Sequence, residues 1–126
     1  MFRNLVVFTF VLFLLSGCAI KEPQKSKSAI VIFQTPVMKF YDKGFINKFE
    51  DHINLQVFET GHLALNLFIY QDKICQSTFE CISSEEFNKK YLHYSYKKDF
   101  LYNLFLQNKI YHKDRKNGIF IKVKEK

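Results

Sequence analysis

The sequence predicts an α+β fold: a bent antiparallel sheet or incomplete β-barrel of about six strands, with one or two short helices packed on one face. Apolar residues recur at every second position over residues 53–57 and 63–69, which is typical of strands with one buried face. Reversal signals lie at Gly61 and at Asn117-Gly118. Residues 84–107 carry helical spacing instead, so we expect a single helical layer over the sheet.

The first seventeen residues have the composition of an export signal. Arg3 is their only charge, and residues 5–15 form an apolar run about half as long as the roughly 20 residues of a membrane-spanning helix. The run ends in Leu15-Ser16-Gly17-Cys18, which resembles the lipobox of bacterial prolipoproteins. That resemblance implies cleavage before Cys18, acylation of this cysteine and attachment to a membrane. An ordinary secretory signal with an incidental cysteine is the alternative.

The predicted mature chain consists of a tether and one domain. Residues 18–28 are polar, rich in lysine and interrupted by Pro23, as in a flexible tether, and residues 29–126 suffice for a single globular domain. The formal net charge of the whole chain is +7. An exported basic lipoprotein meets anionic lipid headgroups, lipopolysaccharide phosphates and peptidoglycan rather than nucleic acid. Residue 19 is alanine rather than aspartate, which by the enterobacterial sorting rule favours the outer membrane, with the domain facing the periplasm.

The first half of the domain is predicted to be strands. Residues 29–33 and 37–41 form one bent strand or two, and Asp42-Lys43-Gly44 is predicted to be a turn. The strands over 53–57 and 63–69 follow. In the second of these the alternate positions are not simply polar, so this part of the sheet is expected to be covered on both sides or to line a cavity. Those positions are Ala64, Asn66, Phe68 and Tyr70.

Cys75 and Cys81 are predicted to form a disulfide. Once Cys18 carries lipid, they remain as an even pair in an oxidising compartment, and they face each other across a tight loop between short strands. The bridge would fix the register of this hairpin. Their spacing matches neither a redox Cys-x-x-Cys nor a usual zinc pattern, so no metal site and no cofactor is expected.

The second half of the domain begins with helical signals. Ser83 and Glu86 have the spacing of a capping box, and apolar residues follow at helical intervals. A second helix is predicted over 98–107, with its buried stripe at Leu101, Leu104 and Phe105. The chain then closes with two strands, over residues 110–113 and 119–123.

No combination of residues in the sequence indicates catalysis. There is no Gly-rich phosphate loop, no Gly-x-Ser-x-Gly elbow and no His-Glu-x-x-His motif. His52 and His62 flank the strand over 53–57 without a third partner. Tyrosines and lysines interleave over residues 89–102, which suits rings that cover the sheet or a surface at lipid headgroups. We therefore expect a non-enzymatic protein.

Several segments resemble small lipoproteins of unknown function from the Campylobacter and Helicobacter group. These segments are VMKFYDKGF (37–45), DHINLQVF (51–58), KICQSTFEC (73–81), FNKKYL (87–92) and DFLYNLFLQNKI (99–110). The order of lipid anchor, antiparallel strands, helical segment and closing hairpin is also similar to LolA/LolB-type lipoprotein carriers. The second resemblance implies an incomplete barrel that holds acyl chains in an apolar groove, although this chain is shorter and lacks tryptophan.

Two functions of different classes follow from these observations. The first is a lipoprotein that binds lipid or the acyl chains of other lipoproteins in a groove, and the second is a structural or interaction lipoprotein of an envelope complex, with a filled core. The predicted groove residues are Leu63, Leu65, Leu67, Phe68, Leu101 and Phe105. An open groove at these positions would favour the first function, and a solid core the second.

Overall fold

A computed structural model describes residues 24–77 and 79–125, a part of the chain that forms eight strands and two short helices. The strands are β1 (Lys25–Gln34), β2 (Lys39–Lys48), β3 (Ile53–Glu59), β4 (His62–Ile69), β5 (Lys73–Gln76), β6 (Glu80–Ser83), β7 (Tyr111–Asp114) and β8 (Ile119–Glu125). The helices are α1 (Ser84–Tyr91) and α2 (Phe100–Leu106). The predicted signal peptide and Cys18 lie outside the described residues.

The eight strands form one antiparallel sheet in the order β6-β5-β4-β3-β2-β1-β8-β7. The sheet is open, and β1 lies inside it between β2 and β8. The predicted α+β class and antiparallel sheet are therefore confirmed, whereas the expected number of about six strands is too small. The number is higher because the short β5–β6 hairpin pairs with β4 and extends the same sheet.

Both β1 and β2 are longer than predicted. β1 begins at Lys25, four residues before the predicted domain boundary, because residues 25–28 pair with residues 45–48 of β2. β2 also continues through Asp42-Lys43-Gly44, so the predicted turn is wrong. Glycine serves a different purpose at position 44: a Cβ there would overlap the carbonyl group of Gln56 on β3 and lie 3.0 Å from Cγ2 of Val31.

Two tight reversals connect neighbouring strands as predicted. Thr60 and Gly61 have φ values of 48° and 81°, and the flanking Glu59 and His62 are paired, so a two-residue loop with positive φ at both positions joins β3 to β4. Gly118, with φ of 69°, ends the four-residue turn between β7 and β8. Glycine is suited to both positions because it adopts positive φ without a steric penalty.

The core lies between one face of the sheet and the helices, and we call this side of the sheet the inner face. The strands contribute Val31, Phe33, Ile46, Ile53, Leu55, Val57, Leu65, Leu67, Ile69, Ile74, Ile119 and Ile121, all buried. The helical segment contributes Phe87, Leu92, Leu101, Leu104 and Phe105. The predicted stripe of α2 is thus confirmed as the part of this helix that packs on the sheet.

Local hydrogen bonds fix where the helices begin. The hydroxyl oxygen of Ser83 accepts a bond of 3.1 Å from the backbone N–H of Glu86, so the predicted N-cap is confirmed. Since β6 ends at Ser83 and α1 begins at Ser84, the strand passes into the helix without a loop. The buried amide of Asn88 donates a bond of 2.8 Å to the carbonyl of Lys97, which ties α1 to the segment that leads into α2.

The packing of α2 predicts different effects for two leucines on the same helix. Leu104→Asp places an unpaired carboxylate in the core, where the leucine is 5% exposed, and should lower the free energy of unfolding by about 4 kcal/mol. Leu106→Asp makes the same chemical change at a position that is 45% exposed and should alter it by about 0.5 kcal/mol or less. Urea unfolding of the purified variants measures both, and equal stabilities would contradict the described packing.

Candidate functional site

Four of the six predicted groove residues lie within the core. Leu67 and Phe105 are fully buried, Leu101 is 1% exposed and Leu65 is 6% exposed. Their side chains pack between the inner face and α2 as members of one continuous hydrophobic cluster. This cluster fills the space in which the sequence analysis places an acyl-chain groove.

The other two predicted groove residues, Leu63 and Phe68, point to the opposite side of the sheet. A bulge causes this for Leu63: Val57 pairs with Leu65 and Phe58 pairs with Leu63, so Ala64 is an extra residue in β4 and the alternation changes phase there. Leu63 is 47% exposed as a result. The six side chains therefore do not share one surface.

The Cys75–Cys81 disulfide is present at the edge of the sheet. The two cysteines are directly opposite in the register of β5 and β6, with an S–S distance of 2.02 Å, and the bridge joins the two strands of this short hairpin. Cys75 is buried beside Phe68, its partner on β4, while Cys81 is exposed. The bridge thus lies outside the helical layer, on the side of the sheet that the helices leave uncovered.

We call this uncovered side the outer face, and its basic half lies on β2, β1, β8 and β7. Directly paired residues of neighbouring strands share a face, so the register defines three rows across these four strands. The rows are Lys43–Ile30–Lys124, Tyr41–Ile32–Lys122–Tyr111 and Lys39–Gln34–Phe120–Lys113. With strands about 4.8 Å apart and rows about 6.8 Å apart, the lysine–aromatic patch covers about 14 by 14 Å.

The charge of this patch has one sign. None of the outer-face positions in the eight strands is occupied by Asp or Glu, as the register and the sequence show. Within residues 24–77 and 79–125, none of its five lysines forms an ion pair. Lys113 and Lys122 instead lie over the rings of Phe120 and Tyr111, with Nζ 5.4 and 6.0 Å from the ring centroids. Among the described residues, therefore, no carboxylate neutralises these ammonium groups.

The other half of the outer face, on β3 and β4, is uncharged. Asn47 donates its amide N–H to Asn54 at 3.2 Å, and Asn54 donates to Asn66 at 2.8 Å, so three side-chain amides form a row across β2, β3 and β4. Phe45 and Phe58 lie beside this row in an edge-to-face contact with ring centroids 5.8 Å apart. From β4 to β7 across the sheet, the side chains of the outer face thus change from amide and aromatic groups to lysines and aromatic groups.

A cluster of titratable groups lies on the helical side, where the loop before α2 meets the β7–β8 hairpin. The Tyr96 hydroxyl donates a bond of 2.6 Å to Oδ2 of Asp114, and Nε2 of His112 lies 2.9 Å from the same hydroxyl oxygen. Because the phenol has a single proton, which Asp114 accepts, the His112 ring must be the donor in the second contact. Asn117 also donates to Asp114 through its backbone and its side chain.

Burial and these contacts together shift the pKa values of all three groups. Burial and the bond to Asp114 raise the pKa of Tyr96, so the phenol stays protonated. Burial lowers the pKa of His112, and the Asp114 charge opposes that change. The bonds from Tyr96 and Asn117 lower the pKa of Asp114 from 3.8 to about 2, so the stability it contributes is present above about pH 4 and is lost as the pH falls towards 2. The cluster thus links the loop before α2 to β7.

His52 and His62 are not brought together. His52 precedes β3 and stacks between Phe49 and Tyr70, with ring centroids 4.4 and 4.8 Å away, whereas His62 begins β4 at the opposite end of the hairpin. In the described residues there is no group of three metal-binding side chains. Neither α1 nor α2 is long and apolar enough to cross a membrane.

Open depressions also lie on the surface of the described residues, and the two that border the core residues Leu65 and Leu104 are the following. One, of about 460 Å³, lies on the inner face beyond the helices and is lined by Met38, Phe40, Ala64, Leu65, Asn66, Gln76, Ser77 and Glu80. The other, of about 270 Å³, lies beside α2 and is lined by Lys97, Asp99, Phe100, Asn103, Leu104, Gln107, Tyr111 and His112. Polar side chains line both depressions, so neither resembles the apolar groove expected for an acyl chain.

Comparison of the chain with protein-family models, with curated proteins and with solved structures returned no match.

The Tyr96–His112–Asp114 cluster predicts a measurable coupling. Asp114→Asn removes the negative charge that raises the pKa of His112, so that pKa should fall further below its ordinary value, while Glu59→Gln, on the distant β3–β4 hairpin, should leave it unchanged. NMR titration of the histidine ring protons measures the pKa in each variant. An identical His112 titration in the wild type and Asp114→Asn would contradict the described contacts.

Proposed function

We propose that this protein is a non-enzymatic, membrane-anchored lipoprotein of the cell envelope that docks the outer face of its sheet on a polyanionic surface. The observation that carries the proposal is the lysine–aromatic patch, whose five lysines share a face with no carboxylate in its strand positions. Like charges held this close repel one another, and an anionic partner relieves that repulsion. The domain faces the periplasm from the outer membrane, where Cys18 holds it.

The filled core favours docking over the LolA/LolB-like carrier function. An acyl chain bound between sheet and helices would have to displace side chains such as Leu67 and Phe105, which have no exposed surface. Proteins pack their cores about as densely as organic crystals, so such space is not free. The interaction lipoprotein is therefore the better supported function, and the resemblance to lipoproteins of the Campylobacter and Helicobacter group is compatible with it.

Acylation of Cys18 supplies the attachment in this proposal. Each buried methylene group contributes about 0.8 kcal/mol, and a single chain anchors a protein only marginally, so the two or three chains of a bacterial lipoprotein would be needed for stable attachment. Anchoring confines the domain to a thin layer above the bilayer. It thereby raises the effective concentration of any envelope partner for the outer face.

The anchor is tested by replacing the cysteine. We expect Cys18→Ala to abolish incorporation of an alkynyl fatty acid in growing cells and to remove the mature form from the carbonate-washed membrane fraction. The matched control is Cys75→Ala with Cys81→Ala, which should retain the label because both changed positions lie within the folded domain. A labelled, processed Cys18→Ala protein would overturn the proposed attachment.

The docking surface is tested with a photo-crosslinking amino acid in living cells. Position 41 lies on the outer face and position 94 near the helices, and both carry tyrosines of similar exposure, 69% and 75%. We expect crosslinked products, with lipid or with protein, at position 41 and few at position 94. The products at position 41 should disappear when Lys43, Lys122 and Lys124 are changed to glutamate. Equal products at the two positions would contradict the proposal.

A further inference from the structure

We infer that the polyanionic surface is the anionic headgroup layer of the bilayer that holds the anchor, so that the domain lies with its outer face flat on the membrane. This inference rests on the proposed function and names the partner of the same surface. Three features support it: the alternation of lysines with aromatic rings, the position of β1 in the chain, and the distribution of carboxylates over the two sides of the domain.

The lysine–aromatic patch has the composition of a surface that lies at the boundary between headgroups and acyl chains. Tyr41 and Tyr111 flank Ile32 and Lys122 in the middle row, and their exposed fractions are 69% and 48%. Tyrosine is favoured at this boundary because its ring is apolar while its hydroxyl group remains in water. Lysine fits beside it, since the aliphatic stem packs along the rings while the ammonium group reaches the phosphates.

The geometry of the patch matches a planar and multiply charged partner. Its five ammonium groups are distributed over all three rows, and each lysine held near an anionic bilayer strengthens binding by roughly fivefold. Beyond the lysines, the half-buried amides of Asn47 and Asn66, which are joined through the buried Asn54, extend the polar surface to β2 and β4. A bilayer can engage all of this area at once, whereas a compact anion would engage only a part of it.

The chain itself places the patch close to the anchor. Six residues lie between Cys18 and Lys25, where β1 begins, and the seven Cα–Cα steps of an extended chain span at most about 25 Å. β1 is also the strand between β2 and β8, so it supplies Ile30 and Ile32 at the centre of the patch. The element that connects to the lipidated cysteine is therefore the element on which the patch is built.

The opposite side of the domain carries carboxylates, which lie among lysines such as Lys89 and Lys97. Glu85 and Glu86 are exposed in the first turn of α1, and Asp99 precedes α2. Both helices cover the inner face, so these carboxylates lie on the far side of the sheet from the patch. The helical side is thus of mixed charge, whereas the patch carries lysines without carboxylates, so attraction to an anionic membrane is expected to be stronger at the outer face.

The absence of tryptophan from the sequence permits a direct test with the full, acylated protein. Tyr41→Trp reports on the outer face, and Tyr94→Trp is the matched reporter on the helical side. Each protein is reconstituted into vesicles of phosphatidylcholine alone or mixed with phosphatidylglycerol, with brominated acyl chains as quenchers. We expect the emission of Tyr41→Trp to shift to shorter wavelength and to be quenched only in the phosphatidylglycerol vesicles, and the emission of Tyr94→Trp to be the same in both.

Charge variants with unchanged anchors test the origin of the signal. Changing Lys43, Lys122 and Lys124 to glutamate in the Tyr41→Trp protein should abolish the shift, since losing three lysines weakens the contact by about 100-fold. The control changes Lys89, Lys90 and Lys97 to glutamate, which alters the net charge equally on the helical side and should retain the shift. Added salt should reduce the shift in the unaltered reporter protein.

Three results would overturn the inference. They are an unshifted Tyr41→Trp in anionic vesicles, an equal shift in neutral vesicles, and an equal shift at Tyr94→Trp. If position 41 nevertheless crosslinks in cells through the same lysines, the docking function stands and its partner is a soluble or protein-borne polyanion. Thermal unfolding of every variant confirms that a lost signal reflects lost contact rather than an unfolded domain.

Discussion

The structure depends on the fact that a single sheet has two faces and that this chain has helices for only one of them. Alternation along every strand divides the side chains into an inner set, which α1 and α2 cover, and an outer set, which no element of the described chain covers. The inner residues that pack in the core are aliphatic and aromatic, whereas charged inner residues such as Asp42 and Glu125 are only partly buried or exposed. The outer set must be compatible with water, and lysines, amides and half-exposed rings meet that requirement.

Residues with a local structural signal were predictable from the sequence. Thr60-Gly61 and Gly118 adopt positive φ, Ser83 caps α1, and the aliphatic stripe of α2 is buried, each through interactions within a few residues. The predicted turn at Gly44 is wrong because a glycine in the sequence is compatible both with a turn and with a close approach of two backbones. Only the position of the neighbouring β3 shows that the second reason applies here. The bulge at Ala64 was missed for a related reason, since alternation continues in the sequence while the pairing shifts.

The candidate surface was not predictable, because its members are distant in the sequence. Lys43 and Lys124 become neighbours only through Ile30, which pairs with both. In the sequence each of these lysines is a single polar residue in an alternating strand. Any strand with one solvated face has such residues, so the pattern does not indicate a binding surface. The Tyr96–Asp114 bond is equally non-local. Strand alternation and helical spacing, on which the predicted groove residues depend, do not distinguish a lined cavity from a filled core.

The position of β1 connects the two ways in which this protein is proposed to meet a membrane. The strand that follows the proposed tether is paired on both sides and forms the centre of the lysine–aromatic patch. An acyl anchor and a basic face are each modest attachments, and their strengths multiply when one short linker lets both engage the same bilayer. The short tether would then restrict orientation as well as distance, because a domain held close to the surface has few ways to face it. Antiparallel sheets commonly expose one face to water, and the lysines and tyrosines on this exposed face also suit a protein that remains beside an anionic surface.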